Sequence, residues 1–334
     1  MNSTAEFPVK TSVLQADDGL IVKLLNHGAT LQSIRVPTSQ GPVEVLLGYP
    51  RPEDYLDDTF CMGSTVGRYA GRIDSGRLVI GGKEYQLDRN DSTHGHCLHG
   101  GAGGFHRLDW LVDEDPNSNA VLYRIESPDG DQGFPGNLKV TTRYSLVSRM
   151  VLQIDYFVES DADTVINLTN HAYFNLNGDG SSIGNHEVWI NSELYLPMGP
   201  DMLPTGDIAY VNGTVFDFRS KAALADRLAK PVPQLQNAGG FDHFFMLNKA
   251  MKYPAIAASI ASPQTGIRLK LYSSRPGVQF YTGNSLKGPF EKHSGLCLEF
   301  QNAPNAPNVA GFPSPLLKAG HLWHRQLVME FESQ

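Results

Sequence analysis

The chain has 334 residues, 27 Lys and Arg against 35 Asp and Glu, a formal charge of −8, and 41% hydrophobic residues. That length allows one large β domain or two smaller ones, and mild acidity without any basic run excludes a nucleic-acid or anionic-membrane surface. No apolar stretch approaches the roughly 20 residues that span a bilayer, and Cys61, Cys97 and Cys297 are an odd, scattered set rather than a disulfide framework.

In chain order, Met1 to Lys10 lacks the basic start and apolar run of a secretory signal, so a cytoplasmic protein is expected. The sequons at Asn2, Asn90, Asn167 and Asn212 then read as chance matches. Gly67-Arg-Tyr-Ala-Gly71-Arg72-Ile73 sets glycines beside an arginine. The backbone can approach a ligand there while Arg72 aims a planar, charged donor fork at it. A tight turn with Arg72 paired to a surface carboxylate fits the same letters. Arg77–Ile80, Gly81-Gly82 and Lys83–Leu87 form a hairpin signal.

His94-Gly-His96-Cys97-Leu98-His99-Gly100-Gly101 invites a metal reading through its imidazoles and thiol. The spacing matches none of the usual zinc templates, so no metal is expected and His99 is the better candidate, as a hydrogen-bond donor. Gly100 to Gly104 is glycine-rich but lacks the Lys-Ser/Thr end and following helix of a phosphate loop.

Period-two alternation then dominates: Val121, Tyr123 and Ile125; Leu138, Val140, Thr142, Tyr144 and Leu146; Leu152, Ile154, Tyr156 and Val158. Turn residues punctuate the runs at Pro128-Asp129-Gly130, Gly133 to Gly136 and Asn212-Gly213. Only Lys221 to Lys230 reads as a helix, with Ser220 as its N-cap. The class expected is all-β, a large antiparallel β-sandwich forming one domain over residues 1–334.

Asn170-His171-Ala-Tyr173-Phe-Asn-Leu176 places amides and an imidazole in strand-like context, where such groups need partners. A continuous strand would put Asn167, Thr169, His171 and Tyr173 on one face. Those partners are either the protein or a hydroxyl-rich ligand, and the ligand is favoured. His171 has an ordinary pKa near neutrality and suits proton transfer. Gln279 alternates with Tyr281, and Glu299 with Gln301, in two further strand-like runs. A carboxylate embedded between Leu298 and Phe300 has a raised pKa unless donors hold it ionised, which poises a base.

These segments, with Gly240-Phe241-Asp242-His243 and Pro276 to Asn284, resemble in order the galactose mutarotase (aldose 1-epimerase) family. The resemblance implies a β-sandwich with a sugar cleft, no cofactor and no metal, and a small-molecule sugar partner. It implies His171 as general acid and Glu299 as general base, with Arg72, His99, Asp242 and Gln279 holding sugar hydroxyls and Tyr173 as a neighbour. A monomer or homodimer without nucleic-acid or membrane partners is expected. Two departures stand out: the histidines and thiol before His99, and Gly71 where some members carry Asn. Rival readings are a glycoside hydrolase using Glu299 and Asp242, a sugar-phosphate epimerase and a non-catalytic sugar-binding module.

Overall fold

The computed structural model describes residues 9–115, 118–248 and 254–333; Asn2 and most of the opening segment lie outside them. Alternating hydrophobic runs make the larger of two main sheets. Leu111–Asp115, Ala120–Ser127, Leu138–Ser148 and Val151–Ser160 follow one another as antiparallel neighbours. Trp323–Glu332 then pairs with Val151–Ser160, and Arg268–Ser273, Ala255–Ala261, Glu187–Ile190 and Ala222–Ala223 complete nine strands. Leu138, Val140, Thr142, Tyr144 and Leu146 are buried and Lys139 is exposed, as period two requires. The Arg77–Ile80 and Lys83–Gln86 hairpin also forms, turning on Gly81 and Gly82 at positive φ.

The second sheet runs Ala209–Tyr210, Leu194–Leu196, Asp242–Met246, Gly277–Tyr281 and Cys297–Gln301. Phe245, Val278, Phe280, Leu298 and Phe300 from this sheet share one continuous buried cluster with Leu152 and Ile154 from the larger one. Each such side chain contributes about 1.5–3 kcal/mol by burial, and a one-residue slip would turn all of them outward. The core therefore fixes which residues occupy the opposite face, where the functional groups sit.

The helix expected at Lys221 to Lys230 is shorter, Leu224–Leu228, with Ala223 at its N-cap and no side-chain cap. Ala222–Ala223 instead extend the sheet by pairing with Glu187–Val188, so Ser220 lies outside the helix. A second short helix, Pro233–Ala238, carries Pro in its first turn and left-handed Gly239 (φ 72°) after its end, a signature the hydrophobic pattern hid. Among the described residues no helix is long and apolar enough to cross a membrane. Asn167 is fully buried and the Asn90 amide donates to the Leu98 carbonyl.

Candidate active site

Three strands of the smaller sheet present a polar face by register. Asp242 pairs with Tyr281 and Tyr281 with Cys297; Phe244 pairs with Gln279 and Gln279 with Glu299; Met246 pairs with Gly277 and Gly277 with Gln301. Alternation thus places Asp242, Gln279, Tyr281, Glu299 and Gln301 on one side, and all five line the same cavity of about 190 Å³. Drug-sized ligands take roughly 300–1,000 Å³, so this occupant is small. Gln279 Nε2 donates to Asp242 Oδ1 at 2.7 Å, while Gln279 Oε1 and Gln301 Oε1 are buried without a protein donor.

Two loops close the cavity. Cys97–Leu98 pairs with Arg72–Ile73, and a Cβ on Gly100 (φ +86°) would lie 2.1 Å from the Gly67 carbonyl oxygen. Only glycine permits that backbone contact, which sets His99 beside Arg72. The Gly71 N–H donates to His99 Nδ1 at 3.2 Å. With Nδ1 accepting, the neutral ring carries its proton on Nε2 and is a donor. Burial, then the charges of His171, His106 and Arg72, hold His99 well below the ordinary imidazole range, which keeps it neutral.

Arg72 donates from Nε to Asp91 Oδ2 at 3.0 Å, leaving its other nitrogens for the cavity it lines. The expected alternative of a surface pair is half right: the partner is a carboxylate, but a buried one. Burial acts to raise Asp91, yet the Arg72 bond and charge, with His94 donors, outweigh it and hold the carboxyl at about 2. This explains the unusual histidine loop. His94 is an Asp91 partner (3.1 Å), His96 Nδ1 accepts from the Ser75 N–H (3.0 Å), and Cys97 packs in a small apolar cluster with Tyr69 and Ile73. None of the three lines the cavity, and no cluster of three or more potential metal ligands exists among the described residues.

The continuous strand expected from Asn167 to Phe174 is broken. Thr169–Asn170 pairs with Thr65–Val66, Tyr173–Phe174 pairs with Leu46–Leu47, and His171 sits between them. Most amides of this segment serve the protein, not a ligand. Asn167 Nδ2 donates to the Ala70 carbonyl (2.9 Å), Asn170 Nδ2 to Gly63 (2.7 Å) and Asn175 Nδ2 to Ser294 (2.7 Å). Tyr173 spends its hydroxyl on the Phe60 carbonyl (3.1 Å) and offers its ring to His171, with centroids 5.1 Å apart. His99 stands edge-on to His171 at 5.5 Å.

His171 Nε2 lies 3.6 Å from Glu299 Oε1, and its Nδ1 is 3.5 Å from Cys297 Sγ. The pair is 5% and 3% exposed. Burial lowers His171 to about 4, correcting the expectation of a near-neutral pKa. Burial, with the neighbouring Asp242 charge, raises Glu299 well above the ordinary carboxylate range, and the Arg72 charge opposes this. Burial also raises Asp242 against Arg72 and Gln279. Burial thus disfavours the charged form of both members of the His171–Glu299 pair.

All seven residues singled out in the sequence line this cavity. Sequence reasoning missed Asp91, whose link to Arg72 bridges 19 positions with no local pattern. It gave no role to Tyr281, whose hydroxyl accepts from the Ser285 N–H (2.8 Å), or to Gln301; both were findable as the next position along their strands.

The aldose 1-epimerase family model matches residues 10–330. A galactose mutarotase of Mus musculus is 40% identical over 324 residues, covering 94% of this chain and 92% of its own. An aldose 1-epimerase of Escherichia coli K12 is 37% identical, covering 92% and 90%. A crystal structure of galactose 1-epimerase from Lactobacillus acidophilus superposes with TM-score 0.88 at 30% identity, covering 100% and 97%.

Proposed function

The chain belongs to the aldose 1-epimerase family, and from that premise we propose that it interconverts the α and β anomers of a free aldohexose such as D-galactose or D-glucose. The observation that carries this reading is the buried pair of Glu299 and His171, 3.6 Å apart in a small donor-lined cavity.

Anomerisation opens the ring, rotates about C1–C2 and recloses. Glu299 takes the C1 hydroxyl proton, the freed electrons form the C1 carbonyl, the bond from C1 to the ring oxygen breaks, and that oxygen takes a proton from His171 Nε2. Closure on the other face runs the same transfers backwards. The reactive form of the pair is ionised Glu299 beside protonated His171. Donation from the C1 hydroxyl favours the carboxylate form of Glu299, and that negative charge favours protonated His171. Arg72, His99, Asp242 and Gln279 hold the remaining hydroxyls, and Tyr173 walls the site. No cofactor takes part, and the whole chain acts as one cytoplasmic domain, a monomer or homodimer, in galactose or related sugar metabolism.

The electrostatics predict an unusual pH profile. Burial lowers His171 to about 4 and raises Glu299 above the ordinary carboxylate range. The acid limb of the kcat/KM profile, read by polarimetry from about pH 4 upward, should lie well below the 6.5 of free imidazole. An acid limb centred near 6.5 would contradict this.

Arg72→Met should raise KM about 10–100-fold with a smaller change in kcat, because a charged hydrogen bond contributes about 1.5–3 kcal/mol. Asp91→Asn should act in the same direction but more weakly, since Asn still accepts from Arg72 Nε. Unchanged KM in both would remove Arg72 from the binding set.

A sugar phosphate fits poorly. Arg72 is the one Lys or Arg among the described lining residues, and Asp91 already engages it while Asp242 and Glu299 share the cavity. A glycosidase pairing of Glu299 with Asp242 is disfavoured by the Gln279 bond that holds Asp242. Polarimetry on fresh α-D-galactose and α-D-glucose, beside α-D-glucose 6-phosphate and an aryl galactoside as controls, tests the reading. Faster equilibration of the free sugars, with no acceleration for the sugar phosphate and no release of the aryl group, is expected. Release of the aryl group would favour the hydrolase, and sugar binding without acceleration would favour a binding module.

A further inference from the structure

Arg275 is the middle residue of the connection from Arg268–Ser273 in the larger sheet to Gly277–Tyr281 in the smaller, and it is 3% exposed. Its Nη2 donates to Asn302 Oδ1 at 2.8 Å and to Asn167 Oδ1. Its Nε and Nη1 are buried with no hydrogen-bond partner. Arg68, buried to the same degree, is a control within the same molecule. There, Nε and both Nη groups are engaged by Ser127, Pro128, Pro135 and Gly136, and Asp129, Asp131 and Asp161 supply counter-charge.

Among the described residues no carboxylate does this for Arg275. Burial, then the charge of Arg325, lowers it to about 9, so it remains a cation at neutral pH. The two guanidinium carbons lie 5.0 and 5.1 Å from the Trp323 ring centroid. Asp155, next to Tyr156 in sequence, is taken up by His324 (2.9 Å), Gln326 (3.0 Å) and Gln153 (2.7 Å). Arg275, Arg325, Tyr156, Thr169 and Asn170 face a cavity with room for about one water-sized particle. Among the described residues its walls hold no carboxylate, and the Tyr156 hydroxyl is also buried without a partner. A buried charge with unused donors calls for a counter-ion, and a cavity this small has no room for an oxyanion.

We propose that this cavity is a halide site, taking chloride in the cell, held by Arg275 Nε and Nη1 with Arg325 and the Tyr156 hydroxyl. Phe300, between Glu299 and Gln301, forms another wall, so the anion sits behind the strand that carries Glu299. It also braces the arginine that holds Asn167 and Asn302. Asn167 in turn holds the Ala70 carbonyl in the loop that carries Arg72. The inference does not depend on which reaction the front face performs.

The test combines anomalous diffraction from bromide-soaked crystals with thermal unfolding in sodium chloride and in sodium gluconate at equal ionic strength. A bromide peak beside Arg275 Nε and Nη1 is expected, with a Tm that rises saturably in chloride, as ligand binding to the native state requires. The chloride-specific rise should vanish in Arg275→Gln and weaken in Tyr156→Phe. Should Arg275→Gln fail to fold, the bromide map and Tyr156→Phe decide. A cavity without anomalous signal, equal Tm in both salts, or a chloride shift undiminished in these variants overturns the proposal.

Discussion

Glu299→Gln is expected to bind sugar and to lose about 10²–10⁴-fold in kcat, the usual contribution of a positioned acid or base. Glutamine preserves size and donor-acceptor shape but cannot take the C1 hydroxyl proton. The same change should leave the Tm equal to or above that of the wild type. Burial disfavours the charged form of Glu299, and Asp242 repels it, so a neutral amide relieves a cost that function imposes. A variant that melts no lower, binds galactose by calorimetry and barely turns over separates a catalytic loss from a folding defect. Wild-type turnover in that variant would dismiss Glu299 as the base.

His171→Asn should lower kcat by a similar factor with little effect on KM, because the hydroxyl-holding residues are untouched. The two losses should not multiply. Proton removal at C1 and delivery to the ring oxygen belong to one event, so once either partner is gone the other has little left to contribute. Steady-state polarimetry on the two single variants and the double variant checks this. A double variant near the worse single is expected, and fully multiplicative losses would mean that the residues act in separate steps.

Much of this arrangement was legible in the sequence because β-strands write their faces in period two. Val278 and Phe280 must enter the core, so Gln279 and Tyr281 must face away from it, and Leu298 and Phe300 do the same for Glu299 and Gln301. The Gly81-Gly82 hairpin and the Leu138 to Leu146 alternation were legible for the same local reason. What escaped depends on partners remote in sequence. The amides around His171 drew attention as ligand groups, yet Asn170 donates to Gly63, 107 positions away, and Asn175 to Ser294, 119 away. Polar character shows that a partner exists without saying which one. The helix at Lys221 lost its first residues to sheet pairing with Glu187–Val188, a tertiary gain that outweighs local propensity. The charge state of His171 escaped for a third reason: residue type gives an unperturbed pKa, whereas the shift to about 4 comes from burial by residues assembled from the whole chain.

The central claim, that Glu299 and His171 open and reclose an aldohexose ring by paired proton transfer, is tested most directly by exchange NMR on galactose at anomeric equilibrium. With wild-type enzyme, magnetisation should pass between the α and β anomeric protons far faster than in buffer, and with Glu299→Gln it should fall towards the uncatalysed rate. Exchange no faster than in buffer with the wild type, or equally fast in both proteins, would contradict it.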